Sequence, residues 1–189
     1  MLLDANLVLT FLTRREDKYQ KEIDIIMQLC HDKTLEGFVA FHSLSIIWYV
    51  LRKVSFTTSV NSMELICDTL KVAYANNSMI LYELRNCGFS DFEDGLQDCC
   101  AQQANVDFII TANVKDYLGH SVVPAITPDE LLYRLQAEKG RGQSSAPQDD
   151  TVNEVPADYQ LVSYVQCLPL HRHCYQEASS GIKAITFVA

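Results

Sequence analysis

The sequence predicts an α/β fold, a three-layer α/β/α sandwich built around a mainly parallel central sheet. Two observations support this prediction. Short apolar runs alternate along the chain with longer segments whose apolar residues recur at helical spacing, which is the pattern of strand–helix–strand units. In addition, the run at 106–111 is rich in β-branched residues and almost wholly apolar, as a strand buried on both faces of a sheet requires.

The elements of the first half follow from cap and turn residues between the apolar segments. The first apolar run stops at Asp4, and Asn6 is placed to cap the helix that follows. Ser43 is a suitable N-cap for a helix that ends at Arg52 and Lys53, whose charges suit a helix C-terminus. In order, we expect a strand at 1–3, a helix at 7–12, a helix at 19–30, a strand at 37–41, a helix at 43–53, a helix at 60–70 and a strand at 71–75.

The second half has equally clear boundaries. Gly88 suits the position just after a helix, and Asn105 can end the next helix in the left-handed conformation. Thr127 precedes Pro128 and stands three residues before Glu130, which is the spacing of a capped helix start. In order, we expect a helix at 79–87, a helix at 91–104, a strand at 106–111, a strand at 122–126 and a helix at 127–135.

The character of the chain changes after Gln136. The stretch at 138–158 is rich in Gly, Ser, Gln, Pro and Asp and has almost no apolar periodicity, which is typical of a flexible linker. We therefore divide the chain into a domain at 1–135, a linker at 136–160 and a segment at 161–189 that is too short for a core of its own. The histidines and cysteines of that last segment match no structural zinc spacing.

Composition limits the class of protein. Of 189 residues, 48% are hydrophobic, enough for one well-packed domain with an appendage. A net charge of −9 argues against a protein that coats nucleic acid, but permits one that cuts it with a bound cation. Seven cysteines without a CxxC pair, and no signal peptide, predict reduced thiols in the cytoplasm. No apolar run is long enough to span a bilayer.

The most informative segment begins at Asp91, where three carboxylates lie close together at the start of a predicted helix. On a helix, Asp91, Asp94 and Asp98 share one stripe, and Glu93 points away from it. Ser90 and Glu93 have the spacing of a capping box, so a structural role explains Glu93. On the predicted helix, Asp94 should share a face with core residues. A role as a solvated surface charge does not explain that position.

Other oxygen-bearing residues are placed to join Asp94. Ligands of parallel sheets gather at the carboxyl ends of the strands. Asp4 ends the first strand, and Asn113 and Asp116 follow the strand at 106–111. We therefore expect these four residues to converge at one edge of the sheet, where clustered carboxylates suggest a bound cation.

Five motifs follow one another along about the first 135 residues. They are DAN at 4–6, FHSL at 41–44 leading into WYVLRK at 48–53, DFEDGLQ at 91–97, FIITANVKDY at 108–117 and ITPDELL at 126–132. Their order and spacing resemble those of a PIN domain, of the kind found in bacterial VapC-like toxins.

The resemblance implies a cytoplasmic endoribonuclease that depends on Mg²⁺ or Mn²⁺ and is the toxin of a type II toxin–antitoxin system. Its partners would be an RNA substrate, an antitoxin protein and a second copy of the chain, with no membrane. By position, the resemblance implies that Asp4, Asp94 and Asp116 are catalytic and, together with Asn113, hold the metal. Auxiliary candidates are Asn6, Asp91 and Asp98.

The chain departs from the family pattern in ways that keep other interpretations open. The family's second acid falls on Ile46, which cannot bind a metal; Asn113 stands where many members have Asp, and Ala112 where Arg is common. The chain could therefore be a PIN-fold module that has lost catalysis and binds RNA or protein. A response-regulator-like domain would need a lysine after a late strand, and Lys115 fits that role poorly.

Overall fold

The structure, a computed structural model, describes residues 1–14, 17–86 and 88–141. Its elements are β1 Leu2–Leu3, α1 Ala5–Thr13, α2 Gln20–His31, β2 Phe38–Ala40, α3 Phe41–Leu51, α4 Phe56–Thr69, β3 Lys71–Ala73, α5 Asn77–Asn86, α6 Phe92–Gln103, β4 Ile109–Ile110, β5 Ala125–Ile126 and α7 Pro128–Arg141. The predicted segment at 161–189 and most of the predicted linker lie outside the described residues. Within the described part of the chain, no helix is both long and apolar enough to cross a membrane.

The central sheet has five strands in the order β3-β2-β1-β4-β5, and every neighbouring pair is parallel. Strand β1 lies in the middle, where Leu2 pairs with Phe38 on one side and with Ile109 on the other. Because all strands point the same way, the residues that follow β1 and β4 meet at the carboxyl edge of the sheet. The predicted parallel α/β fold is thus confirmed.

Alternation along the strands creates two cores, one on each face of the sheet. Leu3 and Ile110 pack in a cluster with residues of α1, α2, α3 and α4. Leu2 and Ile109 pack on the opposite face, in a cluster that includes Cys100 of α6. Helices therefore cover both faces, which gives the three layers expected from the sequence.

Four helices begin earlier than predicted: α1, α3, α4 and α5. In the first three, a strand runs directly into the helix or a better cap lies upstream. Asp4, not Asn6, caps α1, and its side chain accepts a hydrogen bond from the Asn6 N–H. Helix α3 begins at Phe41, so Ser43 is buried inside the helix rather than capping it. Ser55 caps α4 and accepts from the N–H of residue 58.

The C-terminal elements also differ in length from the prediction. Strands β4 and β5 are each two residues long, shorter than the runs at 106–111 and 122–126. Extended pairing still continues beyond them, since the Thr111 N–H donates to the Ile126 carbonyl at 3.1 Å. Helix α7 extends to Arg141, past the predicted domain boundary at 135, because residues 136–139 are all good helix formers.

Candidate functional site

Asp4 lies at the carboxyl end of β1 and is only 6% exposed. Its Oδ1 accepts hydrogen bonds from the Asn6 N–H at 3.2 Å and from Gln97 Nε2 at 3.4 Å. Its Oδ2 accepts from the Thr111 hydroxyl at 2.9 Å. All three donors are neutral, so they orient the carboxylate without cancelling its charge. Asn6 takes part through its backbone, and its side chain is exposed.

Thr111 also connects Asp4 to the loop that follows β4. Its buried hydroxyl accepts a hydrogen bond from the Asn113 N–H at 3.0 Å. The Asn113 side-chain amide donates to the Asp116 carboxylate across a short 3-10 turn. The backbone at Asn113 is thus tied to Asp4, and the side chains of Asn113 and Asp116 lie exposed at the rim.

Asp94 lies in the first turn of α6 and is partly buried. The hydroxyl of Tyr117, a residue only 3% exposed, donates to its Oδ1 at 3.0 Å. Burial raises the pKa of Asp94, and the Tyr117 hydrogen bond opposes that effect. The carboxylates of Asp4, Asp91 and Asp116 raise the pKa further. Three of the predicted acids therefore act on Asp94 at the same edge of the sheet.

Glu93 lies close enough to the other acids for their charges to act on it, and the predicted capping box of Ser90 and Glu93 was wrong. Asp91, not Ser90, is the N-cap of α6, and its Oδ1 accepts from the Glu93 N–H at 2.9 Å. Burial raises the pKa of Glu93, and Asp4 is the strongest of the nearby charges that raise it further. The Glu93 carboxylate therefore lies close enough to Asp4 for the charge of Asp4 to act on it.

Asp98 is directed elsewhere. It is 2% exposed and accepts from the N–H groups of Val122 and Val123 at 3.2 and 3.0 Å. The Ser121 hydroxyl and the Gln102 amide also donate to it, at 2.5 and 2.7 Å. These contacts anchor the loop before β5 to α6. They give Asp98 a structural role in place of the auxiliary ligand role expected from its stripe.

The face of α6 that meets the site is centred on Glu93, Asp94 and Gln97, not on the predicted acidic stripe. Gln97 is 1% exposed and was missed by sequence reasoning. The available signal was its position three and four residues after Asp94 and Glu93, which puts all three on one side of a helix.

The second acid of the family pattern is absent from α3, as the sequence predicts. No residue of this helix, FHSLSIIWYVL, carries a carboxylate. Ile46 is partly buried, and the adjacent Ile47 is fully buried in the larger core cluster. Acidic groups at the site therefore come from β1, α6 and the loop after β4.

The residues at this edge fit a hydrated divalent cation better than a closed metal cage. Among the described residues, no group of three or more His, Cys, Asp or Glu side chains is arranged to hold a metal. Mg²⁺, however, is commonly held by one or two carboxylates and keeps several waters. Asp4 and Asp94 offer such hard oxygen ligands. Burial raises the pKa values of Asp94 and Glu93, and the neighbouring carboxylates raise them further.

Comparison with known proteins gives one family match. A family model described as a PIN domain matches residues 1–115. The matched region includes Asp4, Asp94, Gln97 and Asn113, and it ends one residue before Asp116. No curated protein and no solved structure matches the chain.

Proposed function

This chain belongs to the PIN domain family, and from that premise we propose that it is an endoribonuclease that depends on Mg²⁺ or Mn²⁺. PIN domains are in general nucleases that use divalent metals. The observation that supports the proposal best is the pairing of Asp4 and Asp94 at the carboxyl edge of the sheet. The two carboxylates come from different elements, each is oriented by neutral hydrogen-bond donors, and each contributes negative charge to one site.

In this proposal, Asp4, Asp94 and Asp116 are the catalytic acids, and Asn113 completes the set of metal ligands. A divalent cation bound there would stabilise charge on the phosphate and lower the pKa of the attacking water. Thr111 orients Asp4, and Tyr117 holds Asp94 from the protein interior.

Glu93 offsets part of the charge lost at Ile46. Its carboxylate is close enough to Asp4 for that charge to raise its pKa, although it comes from α6 rather than α3. The site would thus keep a third carboxylate near Asp4 by a different route. Asp91 contributes charge but is committed to capping α6.

We further propose that the protein is the toxin of a type II toxin–antitoxin pair, on the strength of its motif order. An antitoxin would place a hydrophobic segment and a basic side chain against the acidic edge of the sheet around Asp4 and Asp94. Exposed aromatic residues follow the ends of two strands: Phe41 after β2 and Tyr74 after β3. They provide apolar surface for such a partner or for a second copy of the chain.

The free thiols of Cys30, Cys99 and Cys100 fit a reducing compartment such as the cytoplasm.

The direct test is RNA cleavage by the purified full chain in the presence of Mn²⁺. We expect a structured RNA to be cut, and we expect EDTA and Asp94→Asn each to abolish cutting. Asp68→Asn, which changes an exposed carboxylate on α4, is the matched control and should cut normally. No cleavage, together with no Mn²⁺ binding by calorimetry, would refute the proposal that the protein is a metal-dependent ribonuclease.

A second candidate function is a PIN-fold module that binds RNA or protein without cutting. It is favoured by Ile46 and by the lack of a ready three-ligand cluster among the described residues. This alternative predicts RNA binding by the wild type that is insensitive to EDTA, with no cleavage products. A cleavage assay and a gel-shift assay on one preparation separate the two functions.

A further inference from the structure

Gln97 connects α6 to Asp4 through a side-chain hydrogen bond. Its Nε2 lies 3.4 Å from Asp4 Oδ1, and the two residues are 93 positions apart in the sequence. Both are buried, at 1% and 6% exposure. Water therefore has little access to this contact, and the amide is the interior donor that reaches Oδ1.

Chemistry fixes which end of the amide faces Asp4. An ionised carboxylate only accepts hydrogen bonds, so the NH₂ group must point toward it and the carbonyl must point away. In that orientation, Gln97 Oε1 is buried and has no hydrogen-bond partner among the described residues. An unsatisfied buried acceptor is unfavourable by about 1–3 kcal/mol. A residue chosen only for packing would avoid this penalty.

We propose that Gln97 is a positioning residue for Asp4, whose amide holds the carboxylate in the orientation that a divalent cation requires. The inference rests on the proposed function. Thr111 restrains one oxygen of Asp4 through Oδ2, and Gln97 restrains the other through Oδ1. With both oxygens restrained, the carboxylate plane cannot rotate freely. At 3.4 Å the contact is long for an N–H···O hydrogen bond.

The decisive experiment is Mn²⁺ binding by the full chain, measured by calorimetry, for the wild type and Gln97→Met. Methionine is similar in length and flexibility to glutamine but has no donor for Asp4. Partners that orient a metal ligand typically change affinity about 10–100-fold. Because Asn6 and Thr111 still hold Asp4, we expect a loss near the lower end, about tenfold.

Gln102→Met is a matched control on the same helix. Gln102 also donates its side-chain amide to a buried carboxylate, that of Asp98, at 2.7 Å. Both substitutions therefore remove an amide-to-carboxylate hydrogen bond. Gln97→Met also removes the unpaired Oε1, so thermal unfolding should show no greater loss of stability for it than for Gln102→Met. A positioning role predicts that only Gln97→Met weakens Mn²⁺ binding, whereas a structural role predicts that both leave it unchanged.

Each outcome decides the question. If the wild type binds Mn²⁺ and Gln97→Met binds equally well, the positioning role is wrong and the proposed function stands. If the wild type binds no Mn²⁺, both fail. If Gln97→Met does not fold, Gln97→Leu is measured in its place. If neither variant folds while Gln102→Met does, Gln97 is a structural residue and the inference is overturned.

Discussion

Removing the hydroxyl of Tyr117 isolates the effect of one hydrogen bond on Asp94. In Tyr117→Phe the ring remains, and so does its edge-on contact with Phe89, at 5.8 Å between ring centroids. Only the bond to Asp94 Oδ1 is lost. That bond lowers the pKa of Asp94 against the raising effect of burial, so its loss must raise the pKa.

The size of the effect can be worked from the contact. A hydrogen bond to a charged group contributes about 1.5–3 kcal/mol. Asp94 is partly exposed, so water replaces some of this, and we take roughly 1 kcal/mol as the net loss. The pKa of Asp94 should therefore rise, and a loss of about 1 kcal/mol should weaken Mn²⁺ binding about fivefold at pH values where Asp94 is protonated.

Mn²⁺ binding as a function of pH reports this shift, because the metal competes with the proton for the carboxylate. Calorimetric titrations from pH 3 to pH 8 should show affinity falling at a higher pH in Tyr117→Phe than in the wild type. At pH values where Asp94 is fully ionised, the two curves should approach each other. Tyr133→Phe, on an exposed tyrosine of α7, should match the wild type. Coincident midpoints for Tyr117→Phe and wild type would refute the argued role of this bond.

Three further predictions concern stability. Asp94→Asn should raise the melting temperature at pH 7 without metal, because a raised pKa means that the ionised carboxylate destabilises the fold. The gain in melting temperature should vanish at pH 3, because the wild-type carboxyl is then protonated in both the folded and the unfolded state. An unchanged melting temperature at pH 7 would contradict this prediction. Gly37→Ala should lower the free energy of unfolding by about 1–3 kcal/mol in urea, since its Cβ would lie 2.6 Å from Cys30 Sγ and from Leu70 Cδ2; unchanged stability would show that this core can relax. Asp98→Ala should cost about 2–3 kcal/mol by the same measurement, because it leaves backbone donors before β5 unsatisfied; a loss under 0.5 kcal/mol would contradict the anchoring role.

The fold could be predicted because its signals are local. Apolar runs with polar ends predicted all five strands and their parallel arrangement, and Asn105 ends α6 with a positive φ of 51° as expected. Helix starts were less accurate, since several good cap residues compete within a few positions. At the first helix, the N-cap is Asp4 and not the predicted Asn6.

The site was only partly predictable, because its composition depends on the rotation of α6. Sequence reasoning placed Asp4 and Asp94 at the same edge from strand order alone. It predicted that the acidic stripe of α6, which includes Asp98, faces the site. The Asp98 carboxylate instead accepts hydrogen bonds from backbone N–H groups in the loop before β5. The spacing of Glu93, Asp94 and Gln97 puts them on one side of α6, but the contact of Gln97 with Asp4 is seen only in the packed structure. No local pattern predicts which side of an amphipathic helix meets a pocket.

Cleavage by the Asp4→Asn variant tests the central claim most directly. Asp4 is the buried acid on which Asn6, Gln97 and Thr111 converge, and asparagine keeps its shape while removing its charge. We predict Mn²⁺-dependent RNA cleavage by the wild type and by Asp107→Asn, an exposed control before β4, and a loss on the order of 100-fold or more in Asp4→Asn. Cleavage by Asp4→Asn at the rate of the wild type would contradict a metal-dependent nuclease built on this carboxylate.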